Sequence, residues 1–129
     1  MKPEKEFMDE TRVALQDAYD CRMFRNNNGV ALYFNKKKSK VMTVVYGLGV
    51  GTSDLIGWTP VTITKDMVGK QVAVFTALEG KRGRGRLTKE QEAFIDLVHR
   101  VGGFTGVFKT PEHAVDQIYT SRQGIGLEP

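Results

Sequence analysis

The sequence predicts an α/β fold, a mixed β-sheet flanked by helices, and three features of the chain carry that expectation. Apolar residues recur at three- and four-residue intervals in three separate stretches. Short apolar runs bounded by glycine, asparagine or lysine lie between them and read as strands. The resulting order of helix, several strands, helix, strand, helix interleaves the two kinds of element. A chain of 129 residues, 40% of them hydrophobic, suffices for one domain with one core, so no internal boundary is expected.

The first helix is expected from about Glu4 to Tyr19, with Phe7, Met8, Thr11, Ala14, Leu15, Ala18 and Tyr19 on its buried stripe. Acidic residues in its first turns suit the helix dipole, which is reason enough for Glu4 and Glu6. Asn26-Asn27-Asn28-Gly29 is a turn signal between strands over 22–25 and 30–34. Lys36-Lys37-Lys38-Ser39-Lys40 makes a basic tip before a strand over 41–46, and by itself such a run is a solvated loop.

Glycines at 47, 49 and 51 invite comparison with a phosphate-binding loop. No Gly-Lys-Ser/Thr closes the run, however, and an acidic strand follows it instead of a helix. These glycines are expected to let the backbone bend and approach the first helix or a nucleic-acid backbone.

From Ser53 an extended run is expected through Ile63, then a turn near Met67, then a returning apolar strand over 72–78 that ends in Glu79-Gly80-Lys81. Paired as a hairpin, these runs would set Asp54 across from Glu79 and Lys81. Glu79 and Lys81 share one face because strand side chains alternate with period two. Whether Asp54 joins them depends on a register that the irregular turn does not fix, and the shared face is taken as the expectation. Two neighbouring carboxylates repel unless a cation lies between them, and hard oxygens suit Mg²⁺ or Mn²⁺. A phosphodiester is the natural substrate of such a site.

Arg82-Gly83-Arg84-Gly85-Arg86 is a flexible loop whose guanidinium forks suit phosphates. Thr88-Lys89-Glu90-Gln91 has capping-box spacing, and capping alone explains Gln91. Ala93, Phe94, Leu97, Val98 and Val101 continue that helix to Gly102-Gly103. A strand over 104–108 precedes a last helix that Thr110 caps and Pro111 begins, with Ala114, Val115, Ile118 and Tyr119 as its stripe. Residues 1–121 form the expected domain and 122–129 a tail without periodicity.

A net charge of +4 favours an anionic partner. Cys21 is the sole cysteine, which excludes an intrachain disulfide and a cysteine-rich zinc site and fits a reducing, cytoplasmic setting. No signal peptide or membrane-crossing run is visible. His99 and His113 lie on helices without partners at metal spacing, and Trp58 is expected in the core or at a dimer interface.

A Glu-x-Lys triplet alone carries no information, because 15 acids in 129 residues give about one by chance. The combination is specific. Phe24-Arg25-Asn26-Asn27-Asn28-Gly29, Gly49-x-Gly51-x-Ser53-Asp54-Leu55-Ile56-Gly57, Glu79-x-Lys81, Gly85-Arg86-Leu87-Thr88-x-Glu90-Gln91 and Gly102-Gly103-Phe104 follow one another in order. Together they resemble the virus-type replication-repair nuclease (VRR-NUC) family of the PD-(D/E)xK superfamily, in particular its small phage-type members. The resemblance spans roughly residues 4 to 118.

It implies a restriction-endonuclease-like core and Mg²⁺- or Mn²⁺-dependent cleavage of DNA, as in repair. Asp54 and Glu79 would be the metal carboxylates, with the Gly80 carbonyl as a further ligand. Lys81 would orient the attacking water, Gln91 would point toward the site, and Glu4 or Glu6 would contribute from the first helix. Arg82, Arg84, Arg86, Asn27, Lys37, Gly51 and Ser53 are the expected DNA contacts. A homodimer is implied, with branched DNA such as a four-way (Holliday) junction as the substrate. Two positions depart from the family's pattern: Gly80 stands where a β-branched or apolar residue is usual, and Ser53 stands where the superfamily has proline. Two rival readings are a non-catalytic branched-DNA-binding module on the same fold and a nucleotide-handling enzyme that uses the glycine run.

Overall fold

A computed structural model describes residues 1–127. The chain is a mixed α/β protein with three helices and small sheets, divided into two compact units, Met1–Thr59 and Pro60–Pro129. Its strands pair as three two-stranded ladders in place of the one expected sheet, and both parallel and antiparallel pairing occur. Among the described residues no helix is long and apolar enough to cross a membrane.

The first unit opens with α1 (Glu4–Tyr19), whose bounds are those the periodicity gave. Its buried face is rotated from the expected stripe: Met8 is buried and Thr11, Arg12 and Leu15 are half-buried, whereas Phe7 and Tyr19 are exposed. Arg12 explains the rotation, since its Nε donates to the Met23 carbonyl at 2.8 Å while its stem covers apolar surface. That bond ties α1 to β1 (Arg22–Arg25), which pairs antiparallel with β4 (Leu55–Trp58) in the register Met23 with Gly57. Only glycine fits at 57, because a Cβ there would lie 1.9 Å from the Arg22 carbonyl oxygen. Trp58 packs on Phe24, two positions off its direct partner, with ring centroids 5.5 Å apart.

Between these strands, β2 (Gly29–Asn35) and β3 (Lys40–Tyr46) form an antiparallel hairpin with the lysine run at its tip. Val30, Leu32, Phe34, Val41 and Val45 share one face by register, and each is between 60% and 72% exposed. That face carries no charge.

The second unit corrects the expected hairpin of residues 53–63 with 72–78. Residues 59–64 and 71–75 are not strands, a single 3₁₀ turn (Lys65–Met67) stands where the irregular turn was expected, and the later strand, β5 (Thr76–Gly80), starts at Thr76. Each strand has another partner: β4 pairs with β1, and β5 pairs in parallel with β6 (Phe104–Phe108). Sequence adjacency favoured the hairpin, but parallel strands need a helical crossover, and α2 (Lys89–Arg100) supplies it.

The crossover closes tightly. Val98 is fully buried and Phe104 nearly so. Gly102, at φ +90°, donates to the His99 carbonyl and Gly103 to the Val98 carbonyl, the paired bonds of a Schellman cap. Helix α3 (Pro111–Gly124) packs on β6 and runs past the expected domain end at 121. Its inner face is His113, Ala114, Gln117, Ile118 and Ser121, with Val115 and Tyr119 outward. Two polar contacts set this: Ser121 Oγ donates to the Thr105 carbonyl at 3.2 Å, and Gln117 fills the space above Gly106. Of the expected tail, residues 128 and 129 lie outside the described residues.

Candidate functional site

The second unit brings three of the expected site residues together. Glu79 lies near the carboxyl end of β5, and Lys81 follows immediately, held by its backbone N–H to the Phe108 carbonyl at 2.9 Å. The Lys81 Nζ reaches Glu79 Oε1 at 3.5 Å, with both side chains mostly buried. The alternation expected of a strand thus persists one residue beyond it.

Gln91 does two things at once. In the first turn of α2 its backbone N–H donates to Thr88 Oγ1 at 3.1 Å and its Oε1 accepts from the Thr88 N–H at 3.0 Å, completing the capping box. Its remaining Nε2 donates to Glu79 Oε1 at 2.9 Å. Capping alone is therefore too small a role for it. Because the cap fixes Oε1, the amide nitrogen has one direction left, and Glu79 is in that direction. Glu79, Gln91 and Glu90 line a cleft of about 320 Å³ whose wall is Ala77, Leu78, Phe94 and Ile95.

Gly80 has a local explanation. A Cβ there would lie 2.9 Å from Cζ of Phe108, so the ring of the paired β6 residue occupies the space that a β-branched residue would need.

The basic loop follows directly. Gly85 N–H donates to the Arg82 carbonyl at 3.0 Å, closing a turn with Gly83 at φ +56°, and Lys109 Nζ donates to the Gly83 carbonyl at 3.1 Å. Arg82, Arg84 and Arg86 are exposed on this loop. Lys109 was not singled out from sequence; its position after a strand that pairs in parallel with β5 is the signal, since parallel strands end together.

The first unit holds Asp54, immediately before β4 and exposed. A network of side-chain amides surrounds its approach. The Asn26 backbone N–H donates to the Asp54 carbonyl at 2.8 Å. Asn26 Nδ2 donates to the Ser53 carbonyl at 2.9 Å and to Thr52 Oγ1 at 2.8 Å, while its Oδ1 accepts from the Leu48 N–H at 3.0 Å. Asn28 Nδ2 donates to Thr52 Oγ1 at 3.0 Å and its Oδ1 accepts from the Gly49 N–H at 2.9 Å. Thr52 Oγ1 in turn donates to the Gly49 carbonyl at 2.6 Å, so one hydroxyl uses its donor and both lone pairs.

Conformation accounts for the glycines in this loop. Gly49 and Gly51 have φ of +113° and +86°, and a Cβ on either would meet nothing. Gly47 at φ +82° is the position of close approach, lying against Asn27 and Asn28. Gly51 and Ser53 therefore share one loop with Asp54, and Asn27 borders it, its Oδ1 accepting from Arg25 Nη2 at 3.2 Å. Glu4 Oε1 lies 3.8 Å from Arg25 Nη2, and Arg25 pairs with Leu55, which follows Asp54. Glu6 projects from α1 about 200° round from Glu4 and is exposed. Lys37 is at the far tip of the β2–β3 hairpin, roughly 20 Å of strand from Gly29.

His113 has a structural role, and His99 is exposed on α2. His113 Nδ1 accepts from the Lys109 N–H at 3.3 Å and its Nε2 meets Gln117 at 3.1 Å. Among the described residues, no three Asp, Glu, His or Cys side chains are grouped to hold a metal ion.

An acid, an amide and a lysine converge at the end of a parallel strand, beside an arginine loop. The VRR-NUC domain family profile matches residues 8–110, most of the chain, and the protein belongs to that family. Membership gives it a nuclease-type function with DNA as its partner. No curated protein and no solved structure matches the chain.

Proposed function

We propose that this protein is a divalent-metal-dependent endodeoxyribonuclease with a restriction-endonuclease-like core, cutting phosphodiester bonds in branched DNA such as four-way junctions. The observation that carries the reading is Glu79, with Gln91 and Lys81 both directed at its Oε1. That leaves Oε2 as the oxygen for a cation.

The donors fit Mg²⁺ or Mn²⁺: Glu79 Oε2, the Asp54 carboxylate and the Gly80 carbonyl are hard oxygens, and no softer ligand is among them. What such an ion supplies is Lewis acidity toward the scissile phosphate and the attacking water. The remaining work falls to side chains. Gln91 fixes the Glu79 carboxylate, so that it does not have to reorganise as charge develops. Lys81 keeps its ammonium within reach of Glu79, orients the attacking water and draws off negative charge from the phosphorus centre. Glu4, before Glu6, is the first-helix contributor in this reading, since its carboxylate lies 3.8 Å from Arg25 Nη2 at the end of the ladder from which Asp54 departs.

Arg82, Arg84 and Arg86 position the DNA backbone without reading bases, as do Asn27, Gly51 and Ser53, while Lys37 extends contact along the hairpin. Recognition is therefore of DNA shape. A homodimer would set two sites on opposite strands. It is supported by the uncharged hairpin face, on which Val30, Leu32, Phe34, Val41 and Val45 form a contiguous exposed apolar patch of the kind that marks an interaction surface.

Labelled four-way, flap, nicked and linear duplexes incubated with Mg²⁺ or Mn²⁺ test this function. The expected result is nicking of branched forms by the wild type, and retained junction binding with at least about 10³-fold less cleavage for Glu79→Ala. Full cleavage by that variant removes the site, and binding with no metal-dependent nicking by the wild type favours a non-catalytic junction-binding module.

A further inference from the structure

We propose that Asn26 and Asn28 are positioning residues whose side-chain amides, meeting on the Thr52 hydroxyl, set the course of the glycine loop and so deliver the Asp54 carboxylate to a divalent cation. The inference rests on the reading of Asp54 as a metal ligand and adds to it the device that aims the ligand.

The need for such a device follows from the backbone. Three glycines at positive φ between residues 47 and 51 leave this stretch with no steric preference for one course. Neither helix nor ladder supplies its hydrogen bonds. A ligand displayed from such a segment would cost much of its binding free energy in ordering the chain. The two asparagines remove that cost. Asn26 reaches residues 48, 52, 53 and 54, counting its backbone N–H, and Asn28 reaches 49 and 52. Asn26 therefore spans the loop from its first turn to its last residue, and Asn28 braces its middle.

The chemistry requires a carboxamide. Each asparagine donates through Nδ2 and accepts through Oδ1 in the same loop, which neither a carboxylate nor a hydroxyl can do in that geometry. Asn26 itself is anchored, being the residue after β1, whose partner strand starts one residue after Asp54. Ladder and bracket thus fix the same residue from two sides. Partners that orient a ligand from outside its coordination sphere typically change metal affinity 10- to 100-fold when lost.

The test measures Mn²⁺ affinity of the full chain by calorimetry, without DNA, together with hydrogen exchange at the Leu48 and Gly49 amides. The wild type is expected to protect both amides. Asn26→Ala and Thr52→Val should lose that protection and bind Mn²⁺ about tenfold more weakly, and Thr52→Ser, which keeps the hydroxyl, should stay within about twofold of the wild type. Asp54→Asn should weaken Mn²⁺ binding and leave the amides protected. Exchange of the Asp20 amide, bonded to the Gln16 carbonyl at the end of α1 in the same unit, reports whether each variant is folded.

Unchanged protection in Asn26→Ala would show that the bracket does not hold the loop. Lost protection with wild-type Mn²⁺ affinity, while Asp54→Asn binds weakly, would show that the loop's course is irrelevant to the ligand. If Asp54→Asn binds Mn²⁺ normally, the site reading itself fails, and the proposal falls with it by a separate result.

Discussion

The two units present their acidic residues in opposite ways. In the second, Glu79 stands on a strand paired along its length and takes a hydrogen bond from the first turn of a capped helix, so regular backbone does the positioning. In the first, Asp54 leaves a glycine loop that has no regular partner and is held by side-chain amides instead. Their cores differ in parallel: Val98 is fully buried in the crossover unit, while the hairpin of the first unit turns a whole apolar face outward. A functional group on regular structure inherits its placement from the fold, and one on a loop needs a dedicated set of hydrogen bonds.

The largest expected effect separates the cores. Val98→Ala should cost about 2 kcal/mol at any protein concentration, because Val98 is fully buried and its truncation leaves a cavity in the core. Leu32→Lys, on the exposed hairpin face, should leave the thermal midpoint of dilute protein nearly unchanged and remove the rise with concentration that the proposed homodimer predicts. Calorimetric melts over a concentration series read both, and a concentration-independent loss of similar size for Leu32→Lys would erase the contrast.

A smaller effect sharpens it at the site. Glutamate at 91 can still accept from the Thr88 N–H, so Gln91→Glu should keep the helix cap and a thermal midpoint within about 2 °C. It replaces the donor to Glu79 with a second carboxylate, however, and should lower cleavage roughly 10- to 100-fold. Undiminished cleavage would reduce Gln91 to a capping residue.

Elements whose formation is local were legible in the sequence. The bounds of α1, the Thr88 and Thr110 caps, the glycine stop of α2 and the hairpin tipped by the lysine run all follow from spacing and turn chemistry, and the structure has them, whereas Asn26-Asn27-Asn28-Gly29 joins two strands that do not pair with each other. Pairing over distance was not. Nothing between Ser53 and Leu78 signals that β4 returns to β1 and that β5 waits for β6, because both choices bury similar residues. The closeness of Glu79 and Lys81 was readable from strand alternation, whereas the second role of Gln91 was hidden behind its cap. The asparagine bracket was hidden for another reason. Asn26-Asn27-Asn28-Gly29 suffices to make a turn, and only coordinates show two of its amides bonding to a loop more than twenty residues away.

The central proposal is that Asp54 and Glu79 serve the same metal-dependent cleavage, and a double-mutant cycle on Mn²⁺-dependent cleavage of a labelled junction tests it most directly. Asp54→Asn and Glu79→Gln should each reduce the rate at least about 10³-fold, and the double variant should be no slower than the worse of the two, as for groups that work as a unit. Losses that multiply in the double variant would mean two carboxylates acting independently, and would contradict the account.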